Sequence, residues 1–600
     1  MSKLSKITET ILKRLSLFHW SQSLRYRRTQ LRQLYRTNVS SFWNSTQQLN
    51  SDSNFIRKRV WSSNRTYLGG SRLRAEELSK LEPLLAEIAS GQNVGQEKLL
   101  PFLCLEHKAE RAEVNALLAD AFFQQQSLTQ AANFVKRAWL LSEFSPELLD
   151  LYLKIFTSLN DVDNIRAAYK RLGLEAAKRG DISATIQYFT KWQWTYHLLL
   201  NLDHYEYDFD ILDCIDNLAG PLRVPMPRKP VGDKIRLAYL LRGMMDTNSN
   251  LIQISLEFAR HHDRSRYDVT FFTAETEQLV NGSDQGLQYL RAFKELGYEI
   301  QMPSDKGDLA ETLLAQAQSI RESDPHIFVT SAALGDFSHY FLASLRPAPI
   351  VMGIVQGPPA QFAAPLLDWC ISWTKHPLLD CPTNCSWVEI KLDYPAEEIA
   401  NPVSRKALDL PEEACVLLSG GRHVKFQSRE FWQAIVDLLR EHPHAYFVAC
   451  GVKESEVPFF AEVVTDEVKS RVRRLGWRQD FLQIVPSADI LLDTYPNGGG
   501  QTIVQAMASG VPVVAHRNDF LRLFTQTEWS PVEDFIRDPE LLVERGDFVR
   551  FKEIVSRLIE DEAYRKALGE RCREEHVRVA DPSKAIRGCE AVYERVVKVV

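Results

Sequence analysis

The stretch 488–515, ADILLDTYPNGGGQTIVQAMASGVPVVA, constrains the fold of this chain more than any other. Ile490, Leu491 and Leu492 read as a buried strand ending at Asp493, and Tyr495, Pro496 and Asn497 turn the chain into Gly498, Gly499 and Gly500. Gln501 and Thr502 open a helix with apolar residues at Ile503, Val504, Ala506 and Met507. Gly510 ends it, and a second apolar run, 511–515, follows at once. Strand, loop, helix and strand in this order make a parallel αβ unit. The loop is also an anion site, because glycines admit close backbone approach and a helix start offers unpaired N–H groups at its positive dipole end. A diphosphate is the expected guest. An ordinary glycine turn is the alternative, although three consecutive glycines exceed what a turn needs. Neither G-x-G-x-x-G nor G-x-x-x-x-G-K-[ST] is present here. The late position in a two-part chain points to a nucleotide-sugar site in the second of two Rossmann-like halves.

The 600 residues suffice for roughly three or four domains. A net charge of −6 argues against a general nucleic-acid binder, so no nucleic-acid partner is expected. No apolar run approaches the ~18–20 residues that span a membrane. Ile11 and Leu12 are followed directly by Lys13 and Arg14, unlike a secretory leader. A reducing, cytoplasmic setting is therefore expected. Of the nine cysteines, Cys381 and Cys385 are the closest pair; with no second pair or histidine at zinc-ligand spacing, they read as free thiols.

Four regions follow from the patterning. Residues 1–68 are strongly basic, with Lys3, Lys6, Lys13, Arg14, Arg25, Arg27 and Arg28 among many, against only Glu9 and Asp52. Leu4, Ile7, Ile11, Leu15 and Phe18 recur at helical spacing beside these cations. Peripheral contact of 1–66 with an anionic inner-membrane surface is one reading, and a solvated tail or a helix packed on the body is the other. The polar run 40–53 reads as a linker.

Residues 69–215 are helical throughout. The segment 112–145 fits a helix-turn-helix repeat of about 34 residues, with Leu118, Ala119, Phe122, Ala131, Val135 and Ala138 at the packing positions. The segment 166–199 gives a second register, with Gly173, Ala176, Gly180, Phe189 and Trp192. This is tetratricopeptide-like, and a repeat groove is a candidate peptide-binding surface; an unrelated helical bundle is the alternative. Strand-like runs at 234–241, 267–273, 326–330, 350–354 and 369–373 place one Rossmann-like domain at 230–395. A link at 395–402 leads to a second domain, 396–600, with strands at 415–419, 446–450 and 471–476 and a helical end. The expected fold class is α/β, a glycosyltransferase-B fold of two Rossmann-like domains behind an all-α tetratricopeptide-like domain.

Three segments carry a family resemblance. LRPAPI, 345–350, leads through Gly357 and Pro358 to LDWCISW; LSGGRHVKF occupies 418–426; and ADILLDT, NGGGQT and ASGVPVV make up the glycine-loop segment. Together they resemble the O-linked N-acetylglucosamine transferase family, whose architecture bacterial protein N-glycosyltransferases share. The likeness covers roughly 110–600. It implies a metal-independent transferase using a nucleotide sugar, a UDP-sugar first, with Lys425 on the donor diphosphate and a protein acceptor held by the helical repeats. It implies no cofactor. The chain departs from the family at several points. The loop 242–250 holds no histidine, the family's His-Thr-Thr reads Gly499-Gly500-Gln501, and Phe481 replaces a further histidine. Gln505 stands where the broader fold pattern has glutamate. The donor sugar therefore need not be N-acetylglucosamine.

The chemistry needs charge on the leaving diphosphate stabilised and a proton removed from the acceptor. The donor-binding set is Arg422, His423, Lys425, Asn497, Gly498, Gly499, Gly500, Gln501 and Thr502. Asp246, after the first strand, is the candidate general base, against a turn-stabilising role; Asp336 and His339 are runners-up. Asp493 either fixes the glycine loop or reaches a donor hydroxyl. Asp208-Phe-Asp210 and His261-His262-Asp263 read as structural rather than metal-binding. Two other functions stay open: surface-polysaccharide assembly on a lipid-linked acceptor at the inner membrane, and a non-catalytic repeat scaffold.

Overall fold

The computed structural model describes residues 72–599 except 160, 196–207, 229, 247–248, 305–306, 331–336, 356–365, 374–383, 389–401, 458, 479, 497, 518–519, 522–527 and 530. Outside the described residues lie the basic segment 1–66, the link 395–401, Asp336, Gly357, Pro358, Cys381 and the donor-site candidate Asn497.

The helical region comprises α1 (Ala75–Ala89), α2 (Gln96–Leu103), α3 (Lys108–Gln124), α4 (Leu128–Leu141), α5 (Leu149–Ser158), α6 (Val162–Lys178), α7 (Ile182–Trp194) and α8 (Phe209–Ala219). Helices α3 with α4 and α6 with α7 pack closely in pairs. The second pair depends on Gly173: a Cβ there would meet the Phe189 ring at 2.3 Å. Asp161 and Asp181 cap α6 and α7 by accepting the N–H of the third residue of each helix, Asn164 and Ala184.

The first sheet is entirely parallel and runs β3-β2-β1-β4-β5-β6-β7. Its elements in chain order are β1 (Ile235–Leu241), α9 (Asn250–His261), β2 (Tyr267–Thr273), α10 (Asp284–Glu295), β3 (Ile300–Gln301), α11 (Leu309–Glu322), β4 (Ile327–Thr330), α12 (Phe337–Ser344), β5 (Ile350–Val355), β6 (Trp369–Ser372) and β7 (Cys385–Trp387). Strand side chains alternate between the faces. Ala238, Leu240, Phe272 and Phe328 join one core with residues of α7, α8, α11 and α12. Leu237, Tyr239, Leu241 and Phe271 join another with α9 and α10.

The second sheet runs β10-β9-β8-β11-β12-β15. The elements of this unit in chain order are β8 (Cys415–Gly420), α13 (Arg429–Glu441), β9 (Ala445–Cys450), β10 (Val472–Gly476), β11 (Ile490–Leu492), α14 (Gln501–Ala508), β12 (Val513–His516), a separate antiparallel pair β13 (Phe520–Leu521) and β14 (Glu528–Trp529), and β15 (Leu542–Val543). Three helices end the chain: α15 (Phe548–Glu560), α16 (Glu562–Val579) and α17 (Pro582–Val599).

Two boundaries differ from those read in the sequence. Residues Ile186, Phe189, Ile211 and Ile215 of α7 and α8 lie in the same core as Phe328, Phe337 and Tyr340, so the helical region and the first Rossmann-like unit share an interior. The last helix, α17, does not belong with the second unit. Its apolar stripe, Ala585, Ile586, Cys589, Val592, Tyr593 and Val596, closes the other core of the first sheet. A buried polar cluster fixes it there. Tyr239 Oη lies 2.8 Å from Tyr593 Oη and 2.9 Å from His262 Nε2, while Glu590 Oε1 takes His262 Nδ1 at 2.9 Å and the Asp263 N–H at 3.0 Å. His262, read in the sequence as structural, is thus held by this glutamate.

Candidate active site

Strand order reverses between β8 and β11 in the second sheet, and such a switch point opens a crevice at the carboxyl ends of its strands. Both segments singled out in the sequence emerge there. Strand β8 ends at Gly420; Arg422 then caps a single 3-10 turn, His423–Phe426. Buried Gln427 pins the turn by donating to His423 O and Glu456 O at 2.9 and 2.8 Å, and the Trp432 indole donates to Phe426 O at 2.9 Å. This anchoring aims Lys425 at the glycine loop, where Nζ donates to Gly498 O at 2.5 Å. Phe481, at a position where the resembled family has histidine, fills the space that a Cβ on Gly420 would occupy.

Asp493 follows β11 and is 3% exposed. Its Oδ1 accepts the N–H of Thr494 at 3.0 Å and of Gly499 at 2.7 Å, so it folds the loop back on itself. Of the two roles left open for this residue, the observed contacts are those of loop fixation. Oδ2 is buried with no hydrogen-bond partner among the described residues. Burial pushes its pKa up to about 6, partly offset by the Gly499 N–H, the Lys425 charge and the Thr494 N–H. Burial lowers the Lys425 pKa, with Asp493 opposing and Arg422 adding to the shift.

Gly499 and Gly500 both have φ values open to any residue; what Gly499 requires is space. A Cβ there would lie 2.1 Å from Thr502 Oγ1, whereas Gly500 meets only ordinary contacts with Phe535. Thr502 Oγ1 is itself buried with no partner among the described residues. The first bond of α14 is made by the Val504 N–H to Gly500 O, so the N–H groups of Gln501, Thr502 and Ile503 precede the helical ladder. Lys425, exposed Arg422, the helix start and the Thr502 hydroxyl thus converge on one loop. His423, on the same turn, is half-buried.

The first sheet supplies the opposite candidates. Asp246 is exposed in a turn closed by its N–H to Gly243 O at 3.1 Å, and Tyr289 Oη donates to its carbonyl at the same distance. Gly243 has φ +83°, and a Cβ there would lie 2.9 Å from Asp246 Oδ2. Glu275, beyond β2, was missed in the sequence. Its Oε1 accepts the Gly243 N–H at 3.1 Å, which places a second carboxylate beside the Asp246 turn. The only sequence signal for it was an acid just past a strand end. His339 is buried within α12. Lys170 Nζ bridges Asp208 and Asp210 at 2.9 Å each, and Asp208 caps α8, so the Asp-x-Asp triplet is occupied in joining helices.

Residues 415–561 match the family described as glycosyl transferases group 1. That stretch is a glycosyltransferase domain. It contains the Lys425 turn, Asp493, the glycine loop and α14. A lipopolysaccharide core biosynthesis glycosyltransferase, LpsD, of Rhizobium meliloti (strain 1021) is 24% identical over 186 residues, which are 30% of this chain. The match spans 50% of that relative's length. A mutant O-GlcNAc transferase of Thermobaculum terrenum superposes with a TM-score of 0.53 at 16% identity, over 88% of this chain and 99% of its own. That likeness bears out, at the level of fold, the resemblance seen in three short segments: a glycosyltransferase-B pair of Rossmann-like units behind a helical region.

Proposed function

We propose that this chain moves a sugar from a nucleotide-diphosphate donor, a UDP-sugar first, to a protein acceptor in the bacterial cytoplasm. The observation that carries the reading is the meeting of Lys425 with the glycine loop at the start of α14. In the reaction, the bond from the sugar's anomeric carbon to the diphosphate oxygen breaks, and charge grows on the leaving diphosphate. Lys425, Arg422 and the N–H groups of the α14 start stand ready to meet it, which is electrostatic work that needs no reorganisation. No metal ion or cofactor is called for. The acceptor must lose a proton as it attacks; Asp246, on the carboxyl edge of the first sheet, is assigned as the base. The helical-hairpin region 69–215 presents the acceptor, and the basic segment 1–66 gives peripheral membrane contact.

A second reading has a specific observation behind it. The relative named for lipopolysaccharide core biosynthesis favours a saccharide or lipid-linked acceptor, and residues 1–66 would then hold the enzyme at the membrane. The decisive first experiment is a panel of nucleotide sugars scored by thermal shift and hydrolysis. A donor that both stabilises the protein and is hydrolysed supports an enzyme and eliminates a pure scaffold. A protein that no nucleotide sugar stabilises would overturn the donor assignment.

A further inference from the structure

Strand β7 is an edge of the first sheet and pairs in parallel with β6, placing Cys370 opposite Cys385, Ile371 opposite Ser386 and Ser372 opposite Trp387. Backbone bonds close this ladder: the Cys370 N–H donates to Asn384 O at 2.7 Å and the Val388 N–H to Ser372 O at 2.8 Å. Residues opposite each other on neighbouring strands point to the same face of a sheet, and the next residues along point to the other. The contacts obey this. Cys370 belongs to the core shared with α7, α8, α11 and α12, and Cys385 packs against that same core. Trp369 packs on the other core, which α17 closes, and Ser386 Oγ accepts from the Trp369 indole at 2.7 Å and from the Arg595 guanidinium of α17. The Cys370 and Cys385 thiols therefore stand side by side on one face.

Their spacing suits a covalent link. Neighbouring strands lie ~4.8 Å apart, within the range of roughly 4.4–6.8 Å between Cα atoms that a disulfide spans. Both residues are thiols here. Cys370 is fully buried and Cys385 half-buried, so a reagent in solution reaches one member of the pair and not the other. Cys415 and Cys450 also lie on adjacent strands, β8 and β9, but at opposite ends of them. Cys381 is the nearest cysteine to Cys385 in the chain, yet the residue facing Cys385 across the ladder is Cys370.

We infer that Cys370 and Cys385 form a reversible dithiol–disulfide site that responds to small-molecule disulfides and locks edge strand β7 to β6. Cys385 gives its proton to solvent, and its thiolate attacks one sulfur of oxidised glutathione. A Cys385–glutathione S–S bond forms, the glutathione S–S bond breaks and one glutathione thiolate leaves. Cys370 then loses its proton and attacks the Cys385 sulfur, displacing the second glutathione thiolate. Both leaving thiolates take up protons. Two protein thiols are oxidised and one small disulfide is reduced to two thiols; excess reduced glutathione runs the exchange backwards. Burial withholds Cys370 from the first attack and reserves it for the second, the part of a resolving cysteine. The three-residue β7 has little ladder of its own, so a covalent tie to β6 adds most there.

Non-reducing peptide mapping of the full chain, after incubation with oxidised glutathione, tests this. The Cys370 and Cys385 peptides are expected to be joined, with two thiols lost to alkylation and recovered on reduction. Hydrogen exchange at the amides of 386–388 should slow about 10- to 100-fold in the joined form. Cys370→Ser should leave Cys385 as its glutathione adduct, Cys385→Ser should leave Cys370 unmodified, and Cys381→Ser should oxidise as the wild type does. The wild-type map decides by itself if a serine variant fails to fold. A Cys381–Cys385 link, or a wild type that stops at the glutathione adduct, would overturn the site. So would a Cys370–Cys385 link that forms only in denaturant. Equal exchange at 386–388 in the reduced and joined forms would overturn the locking of β7.

Discussion

At the scale of single residues, the proposed donor site turns on the Lys425 cation, one buried acid and one glycine that must lack a Cβ. Lys425→Ala removes a charge-assisted contact, and nucleoside-diphosphate affinity should drop about 10- to 100-fold. Gly499→Val drives a side chain into Thr502 Oγ1 and should weaken the same ligand comparably without unfolding the protein. Calorimetry with UDP and GDP checks both, and wild-type affinity in the two variants would refute the site. Asp493 adds a pH signature. Its folded pKa, about 6, lies above the ordinary carboxylate value. An anion bound beside it raises that pKa further, so binding takes up a proton and affinity rises as pH falls through about 6, flattening below. Nucleotide-sugar affinity should therefore be higher at pH 5.5 than at 7.5. In Asp493→Asn, whose side-chain oxygen still accepts the Gly499 and Thr494 N–H groups, this increment should vanish; an unchanged pH profile in that variant would refute the role. The glycine loop was legible in the sequence because spacing brings a strand, a loop and a helix start together, whereas Lys425 was singled out by the family resemblance of its segment. Which glycine matters was not, because that is set by the Thr502 hydroxyl, and Glu275 was hidden because its partner, the Gly243 N–H, comes from the turn after a different strand, β1.

At the scale of elements, strands were readable to within a residue or two wherever both faces are buried, as in 234–241 against the observed Ile235–Leu241. Such strands are near-continuous apolar runs. The two-residue β3 and the three-residue β7 carry too little pattern to be read, and they were missed. Helix α17 shows a different limit. Its apolar stripe announces a buried face but carries no mark of which sheet it covers. The answer lies in Glu590, which is buried and accepts from both His262 and the Asp263 backbone. Glu590→Ala leaves the buried His262 ring and the part-buried Asp263 N–H without this acceptor and should cost about 2 kcal/mol in chemical denaturation. Arg266→Ala removes a solvent-exposed pairing with Glu594 and a long contact over the Tyr267 ring, and should cost less than about 1 kcal/mol. Equal effects would mean that the buried cluster does not secure the helix.

At the scale of the whole molecule, the covering of the first sheet by α7 and α8 decides how the acceptor question can be asked. Excising 69–215 would uncover part of one face of that sheet, so loss of transfer after such a deletion would report unfolding as readily as loss of an acceptor groove. Removal of the basic segment 1–66 instead leaves every described element of both cores in the chain. If its charge anchors the enzyme, the full chain should sediment with anionic vesicles at low salt and release at high salt, and residues 67–600 should not sediment. The acceptor then follows from complementation of a host lacking the gene. With a protein acceptor in the cytoplasm, specific glycopeptides disappear on deletion, and both the full chain and 67–600 restore them, whereas Lys425→Ala does not. With a lipid-linked acceptor, no glycopeptide is lost, a surface polysaccharide changes, and rescue requires residues 1–66. The expected result is the first. Mass spectrometry of glycopeptides beside surface-polysaccharide profiling reads both outcomes in the same strains, and a changed polysaccharide with an intact glycopeptide set would overturn the protein-acceptor proposal while leaving the donor site untouched.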